Sequence, residues 1–445
     1  MRNILILTIA LICIQKINGQ TYEPIKTQSV SVVDTFHNHF IVEDPYRWLE
    51  YFNNQEVQEW IEAQVKISDK YLKRIYNQNF MGISKYGATE YDLPRKQGDY
   101  YLMLAYKDDI GQAALWYKKA INHTWDLLVD PTYIDRKNNV SIDHIKVSPD
   151  SKYVAFQFNR NGSDWSEIGI VNARTGVMLT DNIKGLRFSG IEWHKDGFYY
   201  TTSEKIGGHG VPVNHKLFFH QLNSSQGTDQ LIYTNKKHPL ASHRVTVSSD
   251  MRFTIINEYI DNKGITNIFY IDHEATIPGL RPLIVNVGFK LSIIDVHQGK
   301  VIAKTNKDDC NGMIVKIDPA NPFQWETIAQ PFDDAILTGI VPFTDRLLTI
   351  YKTPFYPIIT IYSYNGDVLH TLPLPVGTST SGFNANYTDK EIYYAWSSYT
   401  IPKIVYKLDI ETFQTKLNHY TEVTFDFDKI EYFTAECPTP NGETL

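Results

Sequence analysis

Cysteine is scarce in this chain: three occur among 445 residues, at Cys13, Cys310 and Cys437. Cys310 and Cys437 are far apart and belong to no Cys-x-x-Cys pair. Neither a disulfide framework nor a zinc site is indicated, and buried free thiols are expected. A basic excess is missing as well. Lys and Arg total 43 against 50 Asp and Glu, a formal charge of −7, which argues against nucleic acid as a partner because phosphate-binding surfaces concentrate positive charge. Gly (25) and Pro (20) are too few, and a hydrophobic share of 42% is too high, for long disordered or collagen-like stretches. The longest apolar run, 4–14, falls short of the ~20 residues that a membrane-spanning helix needs. No membrane anchor is expected.

Arg2 before that run and Asn18-Gly19 after it describe a secretory signal peptide over 1–19, so the mature chain is expected to be secreted. Five Asn-x-Ser/Thr sequons, at Asn122, Asn139, Asn161, Asn223 and Asn386, agree with export and are the expected glycosylation sites. Over 55–76, Val57, Trp60, Ile61, Val65, Tyr71, Leu72 and Ile75 follow the stepping of one helix face. That amphipathic helix places an N-terminal helical segment at 20–78. It is preceded by Asp44-Pro45-Tyr46-Arg47-Trp48-Leu49-Glu50, where a turn-forming Asp-Pro meets two aromatics.

At roughly 150 residues per domain the length suits three ordinary domains, or one large repetitive domain with an appendage. The remaining chain is repetitive. A tight turn precedes a β-rich run at 98, 150, 196, 250, 298, 345 and 389, giving intervals of 52, 46, 54, 48, 47 and 44 residues. Each marked strand is followed by a second, such as 217–222, 313–318 or 404–408, and by a weaker third, such as 230–233 or 368–372. The run leading into the next marker, such as 142–147 or 293–296, supplies a fourth. Four short strands per unit, seven times over, predict an all-β seven-bladed β-propeller across 79–428. The alternative, an array of β-sandwiches, calls for a longer period and for linkers that are not present.

Several stretches carry a resemblance. Asp44 to Glu50 with the helix that follows, Ser148-Pro149-Asp150-Ser151-Lys152-Tyr153-Val154-Ala155-Phe156, Gly162-Ser163-Asp164-Trp165 and Phe188-Ser189-Gly190-Ile191-Glu192-Trp193 resemble the N-terminal portion of the prolyl oligopeptidase (prolyl endopeptidase) family. The likeness runs from Tyr22 to the end of the chain. It implies a seven-bladed propeller that caps an α/β-hydrolase domain, filters substrates by size, and leaves catalysis to a Ser/Asp/His triad downstream. Residues 430–445 resemble the start of that hydrolase domain, so 429–445 is assigned to it and the α/β-hydrolase domain itself is expected to be absent from this chain. The family is typically cytosolic, which sets the signal peptide against it. Among propeller positions that line the family's peptide site only Phe188 matches, and it is the substrate-binding candidate; a strand residue packed between blades is the competing reading. Around Ala241-Ser242-His243 and Tyr259-Ile260 the family's sulfur-containing residues are lacking.

No other constellation carries chemistry. A nucleophile elbow needs Gly-x-Ser-x-Gly, and no such string occurs. In Gly377-Thr378-Ser379-Thr380-Ser381-Gly382 the second Gly falls one place late, and a loop between the sixth and seventh repeats is expected there. No catalytic residue is therefore assigned. His37-Asn38-His39 lacks a third ligand at suitable spacing, Gly207-Gly208-His209-Gly210 lacks the Lys-Ser/Thr of a phosphate cradle, and Asp308-Asp309 and Asp333-Asp334 read as turns. Neither metal nor cofactor is expected. Two functions remain open: the propeller part of a secreted prolyl oligopeptidase-like serine peptidase acting on short proline-containing peptides, or a stand-alone secreted propeller that binds a peptide or protein without chemistry. In the first case loss of the hydrolase partner is expected to bare Trp48, Leu49, Trp60 and Ile61 and to drive self-association.

Overall fold

The period of tight turns becomes a period of four-stranded antiparallel sheets in the computed structural model. It describes residues 25–36, 40–52, 54–79, 93–107, 110–119, 123–205, 212–260, 263–420, 426, 429, 430 and 433. Blade 1 takes its strands from 95–129, blade 2 from 140–186, blade 3 from 192–234 and blade 4 from 242–287. Blades 5, 6 and 7 follow at 291–329, 336–372 and 378–420. Together they make a seven-bladed β-propeller.

Within each blade the four strands pair in chain order. In blade 2, Val140–Val147 pairs with Tyr153–Arg160, which pairs with Ser166–Asn172, which pairs with Met178–Leu186. The strand leading into each marked turn therefore belongs to the blade that follows, and not to the unit before it. The turn chemistry requires this frame. In blade 2 the Ser148 hydroxyl donates to Asp150 and accepts from the Tyr153 amide, while Asp150 accepts from the Lys152 amide, so the turn locks its two flanking strands into a hairpin. Ser248, Asp250, Arg252 and Phe253 repeat the same device in blade 4.

Packing between blades follows the strand period of two. One face of blade 2 puts Val154, Phe156 and Phe158 against blade 1, with Leu102 and Leu115; the other puts Ala155, Ile168 and Ile170 against Trp193, Phe198 and Tyr200 of blade 3. Blades 4 and 5 share Ile255, Ile268, Ile293, Ala303 and Val315. At the seam between the ends of the ring no strand is shared among the described residues, and Leu93, just before the first strand of blade 1, and Tyr101 on its second strand pack on Tyr393, Ala395 and Val405 of the last blade.

The N-terminal segment is a compact unit of its own. Its helix α1, Gln55–Asn79, covers the expected 55–76 and extends beyond it. Before α1 the strands Val33–Phe36 and Phe40–Glu43 form a hairpin that the sequence pattern does not announce. Of the residues expected to be bared, Trp48, Leu49, Trp60 and Ile61 are half-buried, and the Trp48 and Trp60 indole N–H groups donate to Gln28 O (2.8 Å) and the Thr27 hydroxyl (3.1 Å). Exposed apolar side chains of this unit include Val33, Phe40, Ile41 and Val42 on the hairpin, Tyr51 and Phe52 after it, and Val65, Tyr71 and Leu72 on α1.

Candidate functional site

Phe188 lies between the last strand of blade 2, Met178–Leu186, and the first strand of blade 3, Glu192–His194. Leu186 before it and Ile191 and Trp193 after it are buried in the core shared by the two blades. The Ser189 hydroxyl accepts from the Thr201 amide at 2.9 Å and donates to Gly190 O at 3.0 Å. With both flanks pinned, the connection is short enough to force Phe188 into the left-handed region, φ 56°, where a bulky side chain is an outlier. The residue is 74% exposed. The competing expectation, a side chain packed between blades, is thereby overturned: the fold holds this aromatic outward at a backbone cost.

Arg187 sets the ring's surroundings. Its guanidinium lies 5.1 Å from the Phe188 ring and 5.8 Å from the Trp165 ring, and it pairs with Asp164 at 2.9 Å. A cation over two aromatic faces with a carboxylate at its edge makes a stiff shelf, because the planar fork is held on several sides at once.

A second polar centre lies between blades 3 and 4. The Glu258 carboxylate is buried and accepts from Tyr233 Oη (3.0 Å), Asn235 Nδ2 (2.9 Å) and Asn267 Nδ2 (2.6 Å), and His243 Nε2 stands 3.2 Å away. Burial pushes the Glu258 carboxyl up, but the hydrogen bonds from His243, Asn267, Asn235 and Tyr233 outweigh it and bring it down to about 2. His215 stacks on His243 with ring centres 5.2 Å apart, and burial followed by the neighbouring imidazole lowers it to about 4. Ala241 and Ile260 are buried beside this network, and Tyr259 reaches blade 5 through Ser292 at 2.9 Å. These positions serve the blade interface.

The stretch 377–382 is corrected. Thr378–Asn384 is the first strand of blade 7, at one edge of its sheet and paired with Glu391–Ser398, and not a loop between repeats. Ser379 therefore sits opposite Ser397 in a ladder, and Gly382, φ 95°, is placed where an added Cβ would strike Leu93 and the Tyr393 carbonyl. Asp333-Asp334 sit in a turn, as expected, while Asp308-Asp309 belong to the single 3-10 turn Lys307–Asp309. Cys310 is a half-buried free thiol, 3.7 Å from Thr305 O. His37-Asn38-His39, 207–210, Asn122, Cys437 and the expected signal peptide 1–19 lie outside the described residues. Among the described residues no group of three or more His, Cys, Asp or Glu side chains is placed to hold a metal ion.

The remaining sequons differ in their surroundings. Asn139, Asn161 and Asn223 are exposed, whereas Asn386 is half-buried and donates from Nδ2 to Lys96 O at 3.3 Å. Asn161 donates from Nδ2 to Asn138 at 2.8 Å and accepts from the Asn139 amide, so two of the sequons meet where the ends of neighbouring strands of blade 2 lie side by side.

Comparison with known proteins agrees with this architecture. Residues 24–420 match the family described as prolyl oligopeptidase, N-terminal beta-propeller domain. A prolyl endopeptidase of Elizabethkingia meningoseptica is 26% identical over 416 residues, which are 90% of this chain and 57% of the relative. A dual function macrocyclase-peptidase of Galerina marginata is 23% identical over 413 residues, covering 84% of this chain and 56% of its own. Among solved structures, one from a study of two prolyl endopeptidases superposes with a TM-score of 0.80 at 20% identity over 95% of this chain and 63% of that one. Prolyl oligopeptidase B from Galerina marginata, bound to a 25mer macrocyclization substrate, gives 0.79 at 22% identity over 94% and 64%. The chain thus spans somewhat over half the length of the curated relatives it matches. With seven four-stranded blades and a family match running through all of them, this chain belongs to the prolyl oligopeptidase N-terminal β-propeller family.

Proposed function

We propose that this chain is the substrate-gating propeller part of a secreted prolyl oligopeptidase-like serine peptidase that cleaves short peptides after proline. The observation that carries the reading is Phe188, held 74% exposed at φ 56° between two pinned strands. Backbone strain of this kind persists where surroundings over-determine it, and it clusters at binding sites. An aromatic face offered outward on a stiff shelf suits an apolar side chain of a peptide, with the bond-breaking groups supplied by a hydrolase domain. The propeller's part is then to admit short chains and to line the outer portion of their path.

Reading the transcript beyond the codon for Leu445 tests this. Continuation into a domain with a Gly-x-Ser-x-Gly elbow supports the reading. An in-frame stop sinks it and leaves a stand-alone propeller that binds its peptide or protein partner without chemistry.

A further inference from the structure

The face of blade 2 that meets blade 3 is apolar over most of its length, through Ala155, Ile168 and Ile170. At the end bearing the 161–165 turn it becomes polar. Ser141, Asn159 and Ser166 stand directly across from one another on three strands, and Gln157 follows on the same face, two residues from Asn159. With Asp143 and Asp164 these side chains line a cavity of about 340 Å³. A larger cavity, at the opposite end of the same strands, is rimmed by turn residues that include two acids, Asp150, paired with Lys152, and Asp196, beside Lys195, and no orphaned buried acceptor among the described residues lines it.

The smaller cavity has acceptors to spare. Asn159 Nδ2 donates to Asp143 Oδ2 at 2.8 Å, and because a carboxylate only accepts, this fixes which way the amide faces. Its Oδ1 is left buried with no donor. Gln157, only 7% exposed, donates from Nε2 to Ser166 Oγ at 2.6 Å, and its Oε1 likewise has no donor. Buried polar atoms are nearly always partnered, so two amide oxygens beside one carboxylate, orphaned among the described residues, call for a further donor. Asp164 is already engaged by Arg187, which leaves Asp143 as the acid of this cavity without a cation among the described residues.

We propose that this cavity binds a primary ammonium group, the N-terminus or a lysine side chain of a peptide. An ammonium carries three donors and no acceptor, matching the Asp143 carboxylate and the two orphaned oxygens in number, sign and polarity. The oxygens are recessed in the wall of the cavity. Asp164 lines the cavity and holds Arg187, whose guanidinium covers Phe188, so a peptide lying on Phe188 has the ammonium site within one shelf of side chains. That link to a peptide rests on the function proposed above; the ammonium site itself does not.

The test titrates the full chain with n-butylammonium and, at equal ionic strength, with tetramethylammonium, which has the charge but no N–H donor, reading binding by saturation-transfer NMR. n-Butylammonium alone is expected to bind, and Asp143→Asn to weaken it about tenfold, the loss expected of one charge-assisted hydrogen bond. Gln157→Met, which keeps the volume, is expected to weaken it too, and thermal melting confirms that each variant folds. Equal response to both cations, or binding unchanged in both variants, overturns the site and leaves a cavity that holds only water. Ala-Ala-Phe-Pro amide, its N-acetyl form and N-acetyl-Lys-Ala-Phe-Pro amide then separate a terminal from a lysine ammonium. If n-butylammonium binds as expected while Phe188→Ala leaves peptide affinity unchanged, the ammonium site stands and the Phe188 reading falls.

Discussion

Lys96 and Asp389, 293 residues apart, meet at 2.8 Å from Nζ to Oδ1 where the first and seventh blades close the ring. Each blade is built from consecutive strands, so among the described residues no strand of one end of the ring is woven into the sheet of the other. Side chains do that work: Tyr101 Oη donates to Glu391 at 3.1 Å, and Asp389 also accepts from the Asn386 amide at 2.8 Å.

The two halves of the seam ion pair are not equivalent. The Asp389 side chain is 4% exposed and that of Lys96 30% exposed. Lys96→Met leaves a buried carboxylate without its cation and is expected to cost about 3 kcal/mol, against about 1–2 kcal/mol for Asp389→Ala, which frees a lysine able to reach water. Urea unfolding measures both. The reverse order would mean that Asp389 is satisfied without Lys96.

Acid should loosen the interface of blades 3 and 4. His215, at about 4 in the fold against an ordinary value near 6.5, is more easily protonated when unfolded. Its contribution is therefore intact above pH 6.5 and lost as pH falls from 6.5 toward 4, on the order of 3 kcal/mol in all. Glu258, lowered to about 2, adds a second loss below pH 4.5. His215→Asn keeps an acceptor for the His243 amide and should flatten the upper part of the profile. A wild-type stability that is level between pH 6.5 and 4 would refute the assignment.

Residues 20–445 are expected to be inert toward a Gly-Pro chromogenic peptide and toward a serine-reactive fluorophosphonate, since the sequence encodes no nucleophile elbow. Stoichiometric labelling of any Ser, located by peptide mass mapping, would contradict this.

Made in a eukaryotic secretory host, the protein is expected to begin near Gln20 and to lose mass with an N-glycosidase. Glycan is expected at Asn223, in an exposed turn, and not at Asn386, whose amide is spent on Lys96 O. An intact Met1 with no mass change would remove the proposal of export, and a glycan mapped to Asn386 would contradict the seam contact.

Self-association of 20–445 is expected to run through the hairpin of the N-terminal unit, where Phe40, Ile41 and Val42 are exposed on neighbouring positions. Light scattering over a concentration series should show association in the parent chain and less of it in Phe40→Ser/Ile41→Ser. A monodisperse parent would rule out the hairpin as an adhesive surface.

The seven units were legible in the sequence because turn chemistry is local. Asp and Gly at the markers, and the Ser/Asp pairs at 148–150 and 248–250, bond within five residues and so write their positions into the string. The helix at 55–79 was legible for the same reason, since its period is set by neighbours three and four places away. Which strands share a blade was not, because the pattern of a strand is the same whichever neighbour it pairs with. The hairpin at 33–43 carried no signal, its second strand being exposed along its whole length and so without alternation. Position 377–382 misled for a related reason: Ser, Thr and Gly are turn residues in isolation, and only pairing with Glu391–Ser398 makes them a strand. Phe188 was identifiable as a residue, yet its outward ring follows from Leu186 and Ile191 being buried in a core built with blade 3. The cavity at Asp143, Asn159 and Gln157 and the seam at Lys96 and Asp389 are wholly tertiary. They join residues whose proximity depends on sheet register or on closing a ring of nearly 300 residues, and no local preference encodes either.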